Sequence, residues 1–312
     1  MTDLAPIPLA LRTHLTHATL QAIADVCGAD ILHIKGAAVH ASLDPSLDGT
    51  PANAYAQNGT PSRLSADADV LVRPGHLRGF LATMKQYGWL AVTRFDTGGG
   101  ADHSTDLWHA ELGWADVHRS FPGIRLDAAL AFHRLWLDRR FQPIAHRPCA
   151  VPSVDAQRLI LLLHAARNGQ SRKEDVRNCW TNASLVERSR VTILAKELRA
   201  EVPLASVTGR LGDFTDRPEY DLWRLYAVDD ASRFEMWRAR MKAAQTGLDR
   251  LLALINPLRL KADGLSLQLG RTPTAREVTH YYYCRLLSDL VDIKTHSSQQ
   301  AVRRAKRSRS RW

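Results

Sequence analysis

The sequence predicts an α+β protein, a mixed-sheet N-terminal region followed by a helical C-terminal one. Between residues 30 and 120, short β-branched or alternating runs at 31–34, 66–72, 89–95, 106–112 and 114–120 are interleaved with helical patterns and turns, the signature of strands and helices sharing one region. From residue 151 the strand patterns stop. Residues 153–168, 175–201, 219–244, 248–256 and 274–295 instead repeat apolar side chains at helical spacing. The expected organisation is a mixed-sheet domain over 1–150, a helical domain over 151–302 and a basic, disordered tail over 303–312.

The elements follow in order. Leu11, Leu15, Leu20, Ile23 and Val26 mark a first helix over 7–27 that Gly28 stops. Residues 31–34 form a strand, and Lys35-Gly36 turns the chain into a short helix ending near Leu43. Residues 44–62, rich in Pro, Gly, Asn, Asp and Ser, form a loop. Residues 66–72 form a strand closed by Pro74-Gly75, and an amphipathic helix over 76–87 ends at Gly88. Strands at 89–95, 106–112 and 114–120 complete the mixed region.

The bulk numbers exclude several classes. No apolar run approaches the ~20 residues that a membrane-spanning helix needs, and the N-terminus lacks the basic and apolar regions of a signal peptide. Cys27, Cys149, Cys179 and Cys284 are scattered without a CxxC pair, which argues against a disulfide framework or zinc site and makes the cytoplasm the expected compartment. The net charge of +10 is concentrated at one end: Arg303, Arg304, Lys306, Arg307, Arg309 and Arg311 supply six charges, leaving +4 without them. The basicity belongs to the tail, which offers RNA a contact; no membrane partner is expected.

The chemistry-bearing residues lie on two strands. Residues i and i+2 of a strand face the same way, about 6–7 Å apart, so Asp67 and Asp69 project together with Ala66, Ala68 and Val70 on the opposite side. Two carboxylates that close repel unless cations sit between them, so the run marks either a solvated strand face or a divalent-metal site. The second alternating run, Trp114-Ala115-Asp116-Val117-His118, carries another acid. An antiparallel neighbour ~4.8 Å away would bring Asp116 to the pair. Three carboxylates make an oxygen-rich site suited to Mg²⁺ or Mn²⁺. His118 shares the face of Asp116, placed either to orient it or to pack at the edge of a core. The Lys35-Gly36 turn offers backbone N–H groups and an ammonium to phosphate, and Arg63 and Ser65, just before the acid strand, stand where they can touch phosphate or make a loop salt bridge and a cap.

In this order the pieces LHIKGAAVHAS (32–42), RLSADADVLV (63–72) and WADVHR (114–119), with LILLLHAA and the charged stretch 172–175 behind them, resemble the uncharacterised nucleotidyltransferase family of the polymerase-β-like superfamily. The resemblance covers roughly residues 30–180. It departs at Ala37, where the superfamily has a second glycine or serine, and in a longer spacing between Gly36 and Asp67. It implies a nucleotidyltransferase palm and transfer of a nucleoside monophosphate from an NTP, ATP included, to an acceptor, with release of pyrophosphate. Asp67, Asp69 and Asp116 would be the catalytic and metal-holding acids, with Mg²⁺ or Mn²⁺ as cofactor, and Lys35, Gly36, Arg63 and Ser65 would bind nucleotide. Toxin-type RNA nucleotidyltransferases carry a similar motif, and a non-catalytic module that only holds a nucleotide or partner also fits these residues.

Overall fold

The structure is a computed structural model describing residues 7–44, 65–93, 95, 103–168, 173–228, 231–255 and 274–284. Arg63, most of the 44–62 loop and the 303–312 tail lie outside the described residues. The chain divides into two compact units, one of Met1–Asp96 with Gly100–Thr215, the other of Thr97–Gly99 with Asp216–Trp312.

The first unit is a mixed α+β structure. Helix α1 (Leu9–Cys27) ends at Gly28, whose left-handed backbone closes the last turn. Strand β1 (Ile31–His33) precedes two single 3₁₀ turns, Gly36–Ala38 and Ala41–Leu43, where the sequence had suggested one short helix. Strand β2 (Asp67–Val72) leads through a 3₁₀ turn into α2 (Leu77–Gln86). Strands β3 (Leu90–Ala91), β4 (Ser104–His109) and β5 (Gly113–His118) complete a five-stranded sheet in the order β1-β2-β5-β4-β3. All neighbours are antiparallel except β2 and β5, which run parallel. This corrects the antiparallel arrangement expected for the two acid-bearing strands: the crossover through α2, β3 and β4 returns the chain in the same direction.

Residues 128–151 were not assigned from the sequence. They form α3 (Ala128–Leu137), capped by Asp127, and a hairpin of β6 (Arg140–Ile144) and β7 (Arg147–Val151). Helix α4 (Val154–Asn168) follows, buried from Ala156 through Leu163, with the buried Arg158 paired to Glu187. The long helix expected over 175–201 is broken into α5 (Lys173–Val176), a π-helical turn (Arg177–Thr181) and α6 (Leu185–Glu197), which begins at a Ser184/Glu187 capping box. Helix α7 (Glu201–Val207) packs on α4 and α6. The second unit contains α8 (Tyr220–Tyr226), α9 (Arg233–Ala243) and α10 (Gly247–Ile255); Trp237 on α9 donates its indole N–H to the Ala253 carbonyl of α10 at 2.9 Å.

The two faces of the sheet have different fates. One is mainly apolar: Ile31, Ala68, Val70, Val72, Leu107, Ala115 and Val117 pack against Leu20, Ile23 and Ala24 of α1 and Phe80 and Met84 of α2, with His33 and Thr105 as buried polar residues on the same face. Burying such a side chain fully contributes about 1.5–3 kcal/mol. The other face is divided along its length. At the C-terminal end of β2, Leu71 and its partner Leu32 join Phe132, Leu135 and the leucines of α4 in a second core. At the N-terminal end the same face carries Asp67 and Asp69.

Candidate active site

The parallel register places Asp69 opposite Asp116, Asp67 opposite Trp114 and Leu71 opposite His118. Across the β4–β5 hairpin, Asp106 stands opposite Asp116. Because paired residues point to the same side of a sheet, Asp106, Asp116 and Asp69 form a row across three strands, with Asp67 two residues before Asp69 on the same face.

Cations are built in between the acids. The Lys35 ammonium pairs with Asp69, and His118 Nε2 lies 3.0 Å from both Asp69 Oδ1 and Asp116 Oδ2. Asp69 is 2% exposed. Burial alone would raise its carboxyl, but Lys35 and His118 offset that and hold it well below the usual carboxylate range. Asp116 feels the same opposition and is also held low by His118. In return, and against its own burial, His118 is pushed up to about 9 by Asp116 and by hydrogen bonds to both acids. The two outlying acids shift the other way: burial and then Asp69 raise Asp67, although Ser65 Oγ donates to its Oδ1 at 2.8 Å. Burial and then Asp116 raise Asp106, which accepts from Thr93 Oγ1 at 3.0 Å.

The Lys35-Gly36 turn lies beside this cluster, held from three directions. Gln142 of β6 donates to the Ala37 carbonyl at 2.9 Å, Gln157 of α4 accepts from the His40 N–H at 2.7 Å, and Ser65 lies against Gly36. Gly36 is in the left-handed region (φ 57°), and a Cβ there would stand 3.0 Å from Ser65 Cβ. Glycine is thus required on two counts. A 3₁₀ turn of three residues carries little helix dipole, so a phosphate here would meet the Lys35 charge and local N–H groups rather than a helix end.

Behind the turn lies a buried histidine pair. Gln21 donates to Asp25 at 2.8 Å, which fixes its amide, so its oxygen accepts from His33 Nε2 at 3.2 Å. His33 Nδ1 then accepts from His17 Nδ1 at 2.8 Å, which leaves His17 Nε2 as a buried lone pair without a hydrogen-bond partner beneath Gly36.

Donor chemistry fits a divalent metal. One ligand atom each from Asp69, Asp116 and His118 lies within 4.8 Å of the others. The second oxygen of Asp116, Oδ1, is buried without a hydrogen-bond partner, which a bound cation would satisfy. His118 stands in this group as the cation that bridges the two acids, while one Asp67 oxygen, Oδ1, accepts from Ser65. Sequence reasoning passed over Asp106. The Trp108/Trp114 pair centres the hairpin, and counting two residues outward from it puts Asp106 opposite Asp116. Among the described residues, no helix is long and apolar enough to cross a membrane.

No family model and no curated protein matches the chain in sequence. Among solved structures, the crystal structure of an antigenic nucleotidyltransferase-like protein from Paracoccidioides brasiliensis is similar at 16% identity over 66% of this chain and 100% of that one, with a TM-score of 0.34. A likeness at that level carries no weight for function, which rests on the geometry of the acid row.

Proposed function

We propose that the protein is a metal-dependent nucleotidyltransferase that moves a nucleoside monophosphate from an NTP to an acceptor hydroxyl. The observation that supports this is the pairing of Asp69 with Asp116 across parallel strands, with Asp67 on the same face and Lys35 at its edge. Asp67, Asp69 and Asp116 would hold Mg²⁺ or Mn²⁺, the hard cations that carboxylates select. When bound, such a cation neutralises the triphosphate and acidifies an attacking hydroxyl.

The remaining work belongs to the side chains of this chain. Lys35 exchanges Asp69 for a phosphate oxygen, and Gly36 lets the backbone approach the triphosphate closely. The acceptor oxygen forms a bond to the α-phosphorus as the bond from that phosphorus to the α,β-bridging oxygen breaks. Pyrophosphate leaves with that electron pair, and the hydroxyl proton passes to Asp116. Catalysis of this kind is positioning and charge stabilisation.

The test is a pyrophosphate-release assay with each of the four NTPs, Mg²⁺ or Mn²⁺ and a metabolite extract as acceptor source, for the natural protein and for Asp116→Asn. Release that needs metal and acceptor and falls at least a hundredfold in the variant supports the proposal. Tight NTP binding with no release from any acceptor pool would leave a non-catalytic nucleotide-binding module in its place.

A further inference from the structure

A second row of side chains crosses the sheet beside the acids. Trp108 on β4 stands opposite Trp114 on β5, their ring centroids 5.0 Å apart and tilted by 55°. Trp114 is in turn opposite Asp67, and Leu90 on β3 is opposite Trp108. The row Leu90–Trp108–Trp114 therefore runs alongside Asp106–Asp116–Asp69, one side-chain repeat (about 6–7 Å) away on the same face. Among the described residues neither indole joins a hydrophobic core. Both are partly exposed, and Leu90 is 64% exposed. Two indoles and a leucine side by side outside any core, against a row of carboxylates, make an aromatic floor with a polar edge, the composition of a site for small molecules.

We propose that Trp108 and Trp114 are the acceptor platform, and that the acceptor is a neutral, hydroxylated ring of the sugar or cyclitol type; this rests on the transfer reaction proposed above. Three arguments converge. In-line displacement puts the entering oxygen and the departing pyrophosphate on opposite sides of the phosphorus. Lys35 and Gly36 stand at the β1 edge, so a triphosphate held there leaves the β5–β4 side, where the indoles lie, to the acceptor.

The chemistry of the floor gives the second argument. The C–H face of a saturated ring packs on an indole, while its hydroxyls donate to carboxylates such as Asp106 and Asp116. Charge gives the third. Asp67, Asp69, Asp106 and Asp116 share this face, and Lys35 and His118 pair with Asp69 and Asp116 among the described residues. Asp106, on the β4 side, is the acid of this face that the proposed metal site does not use, and its charge disfavours a phosphorylated sugar or a nucleic-acid end on the acceptor side.

The experiment uses the full chain and two readouts. Indole fluorescence is followed without NTP as methyl β-D-glucopyranoside, maltose and myo-inositol are added, with glucose 6-phosphate and an RNA oligonucleotide as contrasts. Transfer is then assayed with Mn²⁺ and NTP as pyrophosphate release and adduct mass, alongside NTP affinity by calorimetry. At least one neutral ring compound should quench fluorescence and accept the nucleotide. Trp108→Ala and Trp114→Ala should each raise its KM at least tenfold while leaving NTP affinity within twofold, and Trp114→Phe should recover most of the loss.

A tenfold loss of NTP affinity in the alanine variants would overturn the proposal, because the indoles would then hold the base. An unchanged KM, or transfer confined to the phosphorylated sugar or RNA, would also overturn it. Quenching by a neutral ring that the Trp variants abolish, with no NTP binding in the natural protein, would instead overturn the transfer reading and leave a ring-binding surface.

Discussion

Asp69 and Asp116 stand directly opposite each other on parallel strands, and one imidazole nitrogen, His118 Nε2, lies 3.0 Å from a carboxylate oxygen of each. The repulsion that the sequence predicts between neighbouring acids is therefore relieved, without metal, by the chain's own cations. The acids consequently differ in what they contribute. Asp69 pairs with both Lys35 and His118, whereas Asp67 is a carboxylate whose ionisation burial and Asp69 oppose.

Asp69→Asn should therefore destabilise the metal-free protein by about 3–5 kcal/mol, the usual cost of removing one partner of a buried ion pair. Asp67→Asn should leave stability unchanged or slightly raised, because it removes a charge that burial and Asp69 disfavour. Urea denaturation in the presence of a chelator compares them. Equal losses for the two variants would contradict the assignment of Lys35 and His118 to Asp69.

Two glycines separate backbone strain from crowding. Gly28 and Gly36 are both left-handed, but a Cβ on Gly28 meets nothing within 4 Å, whereas one on Gly36 meets Ser65 at 3.0 Å. Gly28→Ala should cost about 1–2 kcal/mol from conformation alone. Gly36→Ala should cost about 1–3 kcal/mol more, from overpacking against Ser65, and should weaken NTP affinity as the turn shifts. If both alanine variants lose the same stability, the packing of Gly36 on Ser65 is not as described.

The buried histidine pair sets an acid limit on stability. Burial, opposed by Asp69 and reinforced by His14, holds His17 down to about 4, and burial followed by His17 holds His33 well below 6.5. A histidine depressed in the folded state stabilises the fold above its unfolded pKa of 6.5, and that contribution is lost as pH falls towards the folded value. Over a window from about 6.5 to 4, His17 alone accounts for about 3 kcal/mol. A plot of unfolding free energy against pH should fall through that window, and His17→Gln should flatten it. A profile level from pH 7 to 4.5 would show that the pair is not neutral in the fold.

Much of this architecture is written in local patterns. The alternation of Asp67, Asp69 and Leu71 with Ala68, Val70 and Val72 specifies both faces of β2, since the side-chain period of a strand is two. Strand direction is not encoded in that way. Period two is the same forwards and backwards, so the parallel pairing of β2 with β5 follows from the intervening crossover and not from either strand's residues.

The β6–β7 hairpin was illegible for another reason: its turn uses Ala145 (φ 45°) and His146 (φ 63°), residues that do not announce a left-handed turn as Asn-Gly would. His118 was visible on the face of Asp116. Its bridging role depended on Asp69 standing one strand away, which is tertiary information.

The central claim is that Asp67, Asp69 and Asp116 hold a divalent metal and its nucleotide. It is tested most directly by calorimetric titration of Mn²⁺ with an NTP analogue that cannot be cleaved between the α- and β-phosphates. The natural protein should bind the metal–nucleotide complex, and chelation of the metal should abolish binding. Asp69→Asn combined with Asp116→Asn, checked for folding by circular dichroism, should weaken it at least a hundredfold, while Asp106→Asn stays within a few-fold. Undiminished binding by the folded double variant would contradict the account and place the nucleotide elsewhere on the protein.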